Sequence, residues 1–261
     1  MPNHQLPSSG TPLLEQGRAD LHVHSLHSDG HDAMAIICQT AMAAGLSVIA
    51  ITDHDRLDGA LEAQTLVAAN GWPLEIVVGE EIGTQSGHLL GLFLSEVVPA
   101  GLSLNQSLQL IAQQGGLAVA AHPLVPHPKS ISARAIERSL AEGFNLTALE
   151  SHNPTPGARL RRGQIQRLAF RHRLALTGGS DAHSANLIGR AQTRFAGQSA
   201  LELRAALETA TTSSEGSDQN LLGLAPIMLR FLQDLGDQNE LLRSRQLPAA
   251  LRAVNARRRR S

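Results

Sequence analysis

One alternation constrains the fold of this chain more than any other feature. Short apolar runs end in polar, ligand-capable residues and are followed by longer amphipathic runs, about seven times over residues 18–210. Runs such as Val48-Ile49-Ala50-Ile51 and Leu117-Ala118-Val119-Ala120-Ala121 read as buried strands, as do 74–78, 146–149 and 174–177. Residues 88–94 form another apolar run, and a short strand is expected around 191–195. Residues 32–44, 57–69, 103–114, 131–142, 158–172 and 199–210 read as helices, several of them stopped by glycine. Such alternation predicts parallel strands joined by right-handed crossovers. The polar tips choose the architecture. Ligand-capable residues follow almost every strand, and only a barrel opens all of those ends onto one mouth. An open sheet would spread them along an edge.

The tips are rich in imidazole and carboxylate. The first is Asp20-Leu21-His22-Val23-His24-Ser25-Leu26-His27-Ser28-Asp29-Gly30. Residues i and i+2 of a strand share a face, so His22 and His24 can aim two rings at one point. Asp29, in the turn that follows, can reach the same space. Later tips supply Asp53 and His54, Glu80 and Glu81, His122, then Glu150, His152 and Asn153, and finally Asp181 and His183. Imidazoles mixed with carboxylates suit Zn²⁺, Mn²⁺ or Fe²⁺. Cys38 is the sole cysteine, which argues against a structural zinc and rules out an internal disulfide. The donors outnumber the needs of one ion, so two or three ions sharing a bridging carboxylate are expected. Such a centre positions a phosphate, generates hydroxide near neutral pH and neutralises the leaving oxygen.

The ordered set D-L-H-V-H-S-x-x-S-D-G, I-T-D-H-D, V-G-E-E-I, A-x-A-A-H-P and G-G-S-D-A-H resembles the PHP (polymerase and histidinol phosphatase) family. The resemblance spans residues 18–210. It implies an α/β fold, a distorted (β/α)7 TIM-like barrel, with two or three divalent metal ions (Mn²⁺, Zn²⁺ or Fe²⁺) at its C-terminal mouth. It also implies hydrolysis of phosphate esters. Carried over by position, His22 and His24 would bind one ion, completed by Asp181, which would orient the attacking water. Glu81 would bridge to a second ion held by His122, and Asp29, His54 and His183 would surround a third. Asp181 and His183 are the expected catalytic pair. Glu80 falls at the motif's variable position. Asp53 and His88 are expected to support ligands from behind. Family members supply a further ligand to the second ion after the strand that here ends at Glu150, and His152 is the candidate there. The pattern gives His27 and His31 no ligand role. Arginine suits phosphate because its planar fork matches phosphate oxygens, and Arg159, Arg162 and Arg190 are the candidates near the mouth.

The rest of the chain sets the expected context. Residues 1–17 read as a disordered N-terminal segment without the apolar stretch of a secretory signal. Residues 18–210 form the expected metal-dependent phosphoesterase domain. Residues 211–220 read as a linker, and 221–261 as a helical extension with the Arg-rich tail Arg257-Arg258-Arg259-Arg260. Net charge is −1 and no stretch has the apolar length of a spanning helix, so a cytoplasmic protein with no membrane association is expected. There is no tyrosine, one tryptophan and five phenylalanines, so stacking platforms for bases are scarce. The expected substrate is a small phosphorylated molecule or a short nucleic-acid end, either a nucleoside 3′,5′-bisphosphate or the 5′ end of an oligonucleotide. No obligate protein partner is predicted. The alternatives are a histidinol-phosphate-like phosphomonoesterase and a non-catalytic metal-binding regulatory module. A metal-dependent amidohydrolase would need a carboxylated lysine at a strand end. The only lysine, Lys129, lies instead in a Pro-rich loop.

Overall fold

The computed structural model describes residues 16–216. Nine strands and six helices alternate along them. The order is β1 (Gln16–Asp20), α1 (Met34–Ala43), β2 (Val48–Ile51), α2 (Asp58–Asn70), β3 (Glu75–Thr84), β4 (Gly87–Leu92) and α3 (Leu104–Gln113). It continues through β5 (Leu117–Ala120), α4 (Ala133–Ala141), β6 (Ala148–His152), α5 (Ala158–His172), β7 (Ala175–Gly178), β8 (Ala191–Ala196), α6 (Ala200–Glu208) and β9 (Ser213–Gly216). The helices fall where the amphipathic runs predict, each starting within two residues of expectation. Ser103 and Ser199 open α3 and α6 with reciprocal caps to Gln106 and Glu202, and Gly71 closes α2 in the left-handed conformation.

The strands form one sheet in the order β7-β6-β5-β4-β3-β2-β1-β8-β9. It curls until β7 meets β8, nearly closing a barrel. At that seam Thr193 Oγ1 accepts from the Gly178 amide and donates to the Gly178 carbonyl, both at 3.0 Å. The backbone of Gln192 lies where a Cβ on Gly178 would sit, so the seam requires glycine there.

Two expectations about the sheet are corrected. It is not all parallel: β4 runs antiparallel to β3 and β5, and β8 antiparallel to β1 and β9. The cause is the two-residue connection Gln85-Ser86, too short for a crossover, which folds β3 and β4 into a hairpin. The segment boundaries also move. Gln16 and Gly17 already belong to β1, and residues 213–216 of the expected linker form β9 on the edge of β8. The rest of the expected N-terminal segment and linker, and the expected helical extension 221–261, lie outside the described residues.

Two apolar layers hold the barrel. The outer one packs the helices on the sheet through residues such as Ile37, Ile49, Leu108, Ile136 and Ile165. The inner one fills the barrel with Ala19, Val48, Ala50, Val77, Leu90, Leu92, Val119, Ala148 and Ala175. It ends on Leu203, Ala206 and Leu207 of α6. The α6 helix sits across the N-terminal end of the barrel. Its Ala200 amide donates to Glu75 at the start of β3 (2.7 Å), and Arg204 donates to the Gly115 carbonyl just before β5 (2.6 Å). Above this filling the inward rows turn polar. Glu81 continues the row of Val77, His88 that of Leu90, and Glu150 that of Ala148, because inward side chains recur every second residue.

Candidate metal centre

Three groups of donors converge at the polar end of the barrel. The innermost is His22, His24, Glu81 and Asp181. His22 Nε2 lies 3.3 Å from Glu81 Oε2 and 3.4 Å from Asp181 Oδ1. His24 Nε2 lies 3.3 Å from each of the same oxygens. A tetrahedral ion with metal–ligand bonds of about 2.0–2.1 Å spaces its ligands about 3.3–3.4 Å apart, so this group fits one ion. Nε2 of His22 and both ring nitrogens of His24 are buried without a hydrogen-bond partner. Buried polar atoms are normally satisfied, and a cation is the partner these lack.

The outer group is His24, Asp29, His54 and His183. Asp29 gathers it. Its Oδ2 is 3.4 Å from His54 Nε2, and its Oδ1 is 3.2 Å from His183 Nε2 and 3.5 Å from His24 Nδ1. The third group is His54, Glu81 and His88. Here Glu81 turns its other oxygen outward: Oε1 is 2.6 Å from His88 Nδ1 and 3.1 Å from His122 Nε2. One carboxylate thus faces five imidazoles, three on Oε2 and two on Oε1. Mixed imidazole and carboxylate donors without thiolate suit Zn²⁺, Mn²⁺ or Fe²⁺.

Burial and charge work against each other in this cluster. Burial disfavours protonation of His22, yet Asp181, Glu81 and Glu150 outweigh it and lift its pKa well above the ordinary value. His24 is likewise opposed by burial but raised to about 9 by Asp181 and Glu81. Burial pushes the carboxyls of Glu81 and Asp181 up, but the surrounding histidines hold both well below the usual carboxylate range.

Carboxylates behind the cluster orient it. Glu150, buried at the end of β6, accepts from His22 Nδ1 (3.2 Å), the His122 amide (2.7 Å) and Asn153 Nδ2 (2.8 Å). The first bond turns His22 so that Nε2 faces Glu81 and Asp181. Gly179 makes this approach possible, because a Cβ there would meet Glu150 Oε1 and His22 Cβ. Asp20 accepts from the amides of Ser180 (2.9 Å) and Gly189 (2.8 Å), tying the loop that carries Asp181 to β1. Asp53 accepts from the Ser25 amide (2.7 Å), Ser25 Oγ (2.7 Å) and Ser28 Oγ (2.5 Å), which sets the turn that presents Asp29. His122 and Asp181 both adopt positive φ (29° and 49°), a region His and Asp enter more readily than most residues.

The sequence-predicted residues divide cleanly. His22, His24, Asp29, His54, Glu81, His122, Asp181 and His183 come together, and Asp53 lies behind them, bonded to Ser25 and Ser28. His88 does more than expected, standing in line with His122 on Glu81 Oε1. His152 does not join the cluster. A bulge in β6 sets Glu150 opposite Thr177 and His152 opposite Gly178, which breaks the alternation. Glu150 turns inward, and His152 Nδ1 meets Ser214 Oγ of β9 at 3.0 Å. Glu80 faces away from Glu81 and accepts from the Val98 amide at 2.6 Å. Arg159 and Arg162 stand on the first turns of α5 at the mouth end, and Arg190 turns its Nε to the Asn186 carbonyl (3.1 Å). The supporting roles of Glu150 and Asp20 were missed. Both were visible only as polar residues at strand ends, with partners 128 and 160 residues away. His27 and His31 hold loops: His27 is bracketed by Asp58 and Glu62, and His31 donates to the His183 carbonyl (2.8 Å).

Comparison with known proteins identifies the family. The PHP domain family model matches residues 20–205. An uncharacterized protein of Methanocaldococcus jannaschii is 37% identical over 141 residues, covering 49% of this chain and 81% of that protein. A 5′-3′ exoribonuclease of Haemophilus influenzae is 33% identical over 99 residues, 36% of this chain and 35% of its own length. A 3′,5′-nucleoside bisphosphate phosphatase of Chromobacterium violaceum is 34% identical over 83 residues, 31% of this chain and 29% of its own. A two-domain Bacteroides vulgatus protein containing a PHP-like metal-dependent phosphoesterase superposes with a TM-score of 0.66 at 18% identity, covering 84% of this chain and 71% of that one. That likeness is one of fold. No helix among the described residues is long and apolar enough to cross a membrane.

Proposed function

The chain belongs to the PHP domain family and is a metal-dependent phosphoesterase, and from that premise we propose that it hydrolyses a nucleotide phosphate or the phosphorylated end of an oligonucleotide. The observation that carries the reading is Glu81, one buried carboxylate with imidazoles arrayed on both oxygens. His22, His24, Glu81 and Asp181 would hold one ion, Glu81 with His88 and His122 a second, and Asp29, His54 and His183 a third. Bound ions would polarise the phosphoryl oxygens, lower the pKa of water and neutralise the leaving oxygen.

The chain's own residues set the geometry for that chemistry. Asp181 Oδ1 faces His22 and His24, and its carboxylate can orient an attacking water by accepting a hydrogen bond from it. His183 keeps its proton on Nδ1, where the Asp181 carbonyl accepts it at 2.9 Å, so its Nε2 lone pair faces the Asp29 side. Support for a nucleotide-type substrate comes from the exoribonuclease and the nucleoside bisphosphate phosphatase among the relatives and from the arginines at the mouth end of α5. The test is a phosphoester panel with Mn²⁺ that includes 3′-phosphoadenosine 5′-phosphate, 5′-phosphorylated oligonucleotides and simple phosphomonoesters. Turnover of the first two, abolished in His22→Ala, is expected. Turnover confined to simple phosphomonoesters, or equal rates in the variant, overturns the proposal.

A further inference from the structure

The outer wall of the barrel below the mouth is charge-segregated in a way the hydrolytic centre does not need. Residues 131–173 hold eight arginines against three glutamates, a surplus of five in a chain whose net charge is −1. One of the three, Glu150, is buried at the centre and offers nothing to solvent. The α5 helix carries five of these arginines and no acidic residue. Its exposed side resolves into two adjacent rows. Arg159, Gly163, Gln166 and Phe170 follow the spacing i, i+4, i+7, i+11, and Leu160, Gln164, Arg167 and Arg171 run beside them.

Phe170 is 89% exposed and Leu160 85%, the two most exposed large apolar side chains among the described residues. A chain with so few aromatic residues leaves one of them standing between arginines in full solvent. Of these arginines, Arg171 is engaged by an acid of a neighbouring helix, Glu137 of α4, at 2.9 Å. The helix begins eight residues after Glu150, the β6 residue that orients His22, so its first turn is at the mouth. From there Arg159 to Phe170 spans about 16 Å down the wall.

We propose that this face of α5 is the track on which a single-stranded nucleic acid lies while its phosphorylated end enters the mouth. Arginines for the backbone and an aromatic ring for a base form the combination that holds single strands without reading sequence. Gly163, lacking a side chain, lets the strand lie close. The inference rests on the nucleotide reading above and narrows it from mononucleotides to oligonucleotides.

The test is fluorescence anisotropy of the full chain in chelator, with a 5′-phosphorylated, 3′-labelled 12-mer of uridylate, alongside a labelled dinucleotide. Arg257-Arg258-Arg259-Arg260 would attract any polyanion, so the variants decide, not the bulk affinity. Phe170→Ala is expected to weaken 12-mer binding roughly tenfold and leave the dinucleotide unchanged. Arg167→Gln is expected to reduce the slope of log K against log salt by about 0.7. Unchanged 12-mer binding in both variants overturns the track. Equal affinity for a polyglutamate chain, lost equally in Phe170→Ala, overturns it in favour of an acidic protein partner. Binding is read here in chelator and hydrolysis in the phosphoester panel, so the two readings fail separately. Variant-sensitive binding without hydrolysis sinks the reaction, and hydrolysis with insensitive binding sinks the track.

Discussion

The inner and outer donor groups share His24 but are built differently. In the inner group Glu81 stands in β3, His22 and His24 follow β1 directly, and the Asp181 loop is tied to β1 by the buried Asp20, while the buried Glu150 braces His22. The outer group draws Asp29, His54 and His183 from loops, and Asp29 is about one-third exposed. Its bracing is one layer further out. Asp53 holds the Ser25–Ser28 turn, and Arg56 and Asp58 clasp the His27 segment against α2. Rigid strands fix the inner geometry before any ion arrives, whereas the outer geometry depends on a loop staying closed. The inner group should therefore fail all at once and the outer group by degrees.

Glu81→Gln should produce the largest effect, because it removes the charge shared by the inner group and the His54–Glu81–His88 group. Turnover should fall by more than the roughly 100-fold that loss of an outer partner produces. Metal analysis after dialysis should find fewer ions per chain, and a variant that keeps its full complement would show that Glu81 is not the shared ligand. Glu150→Gln should cost about 10–100-fold in metal affinity at the inner group and beside it at His122, and leave the outer group intact, because only the aim of His22 and the seat of His122 are loosened. Asp53→Asn should be milder, about tenfold in turnover, and should destabilise the fold by about 1–3 kcal/mol through its buried hydrogen bonds. Thermal melts of the metal-loaded and chelated forms would separate the two effects. Equal damage from Glu150→Gln and Asp53→Asn at both groups would erase the distinction.

The smallest effect is a pH dependence of opposite sign with and without metal. In the chelated chain His24 is raised to about 9 by Asp181 and Glu81, above the ordinary value of 6.5. The folded state then binds the extra proton between these values. Its stabilisation is complete below about pH 6.5 and is lost as pH rises through about 9. Metal must displace that proton, so apparent metal affinity should rise across the same window. Melting temperature against pH, with and without Mn²⁺, reads both slopes. Parallel slopes would mean that the proton on His24 and the ion do not compete.

Most of the fold and the donor set could be read from the sequence because both are written in short-range patterns. Apolar runs fixed the strands, and a donor placed at a strand end was enough to mark Asp29, His54 and Asp181. What escaped depended on pairing. The direction of β4 followed from the two-residue gap at Gln85-Ser86, a signal present in the sequence but outweighed by the repeat. The bulge that turns His152 away has no signature in Glu150-Ser151-His152, and only its pairing with β7 reveals it. His88 is placed opposite Gly83 by the same hairpin, which brings its ring onto Glu81. Glu150 could be seen at a strand tip, yet its bond to His22 joins residues 128 apart.

Among the described residues, the α6 helix and the alanine- and leucine-filled interior close one end of the barrel and leave the histidine-lined mouth as its opening. Substrate, water and both products must all pass through the histidine-lined mouth, so turnover is a queue. A product leaving the centre occupies the path the next phosphate ester must take, and departure and arrival cannot overlap.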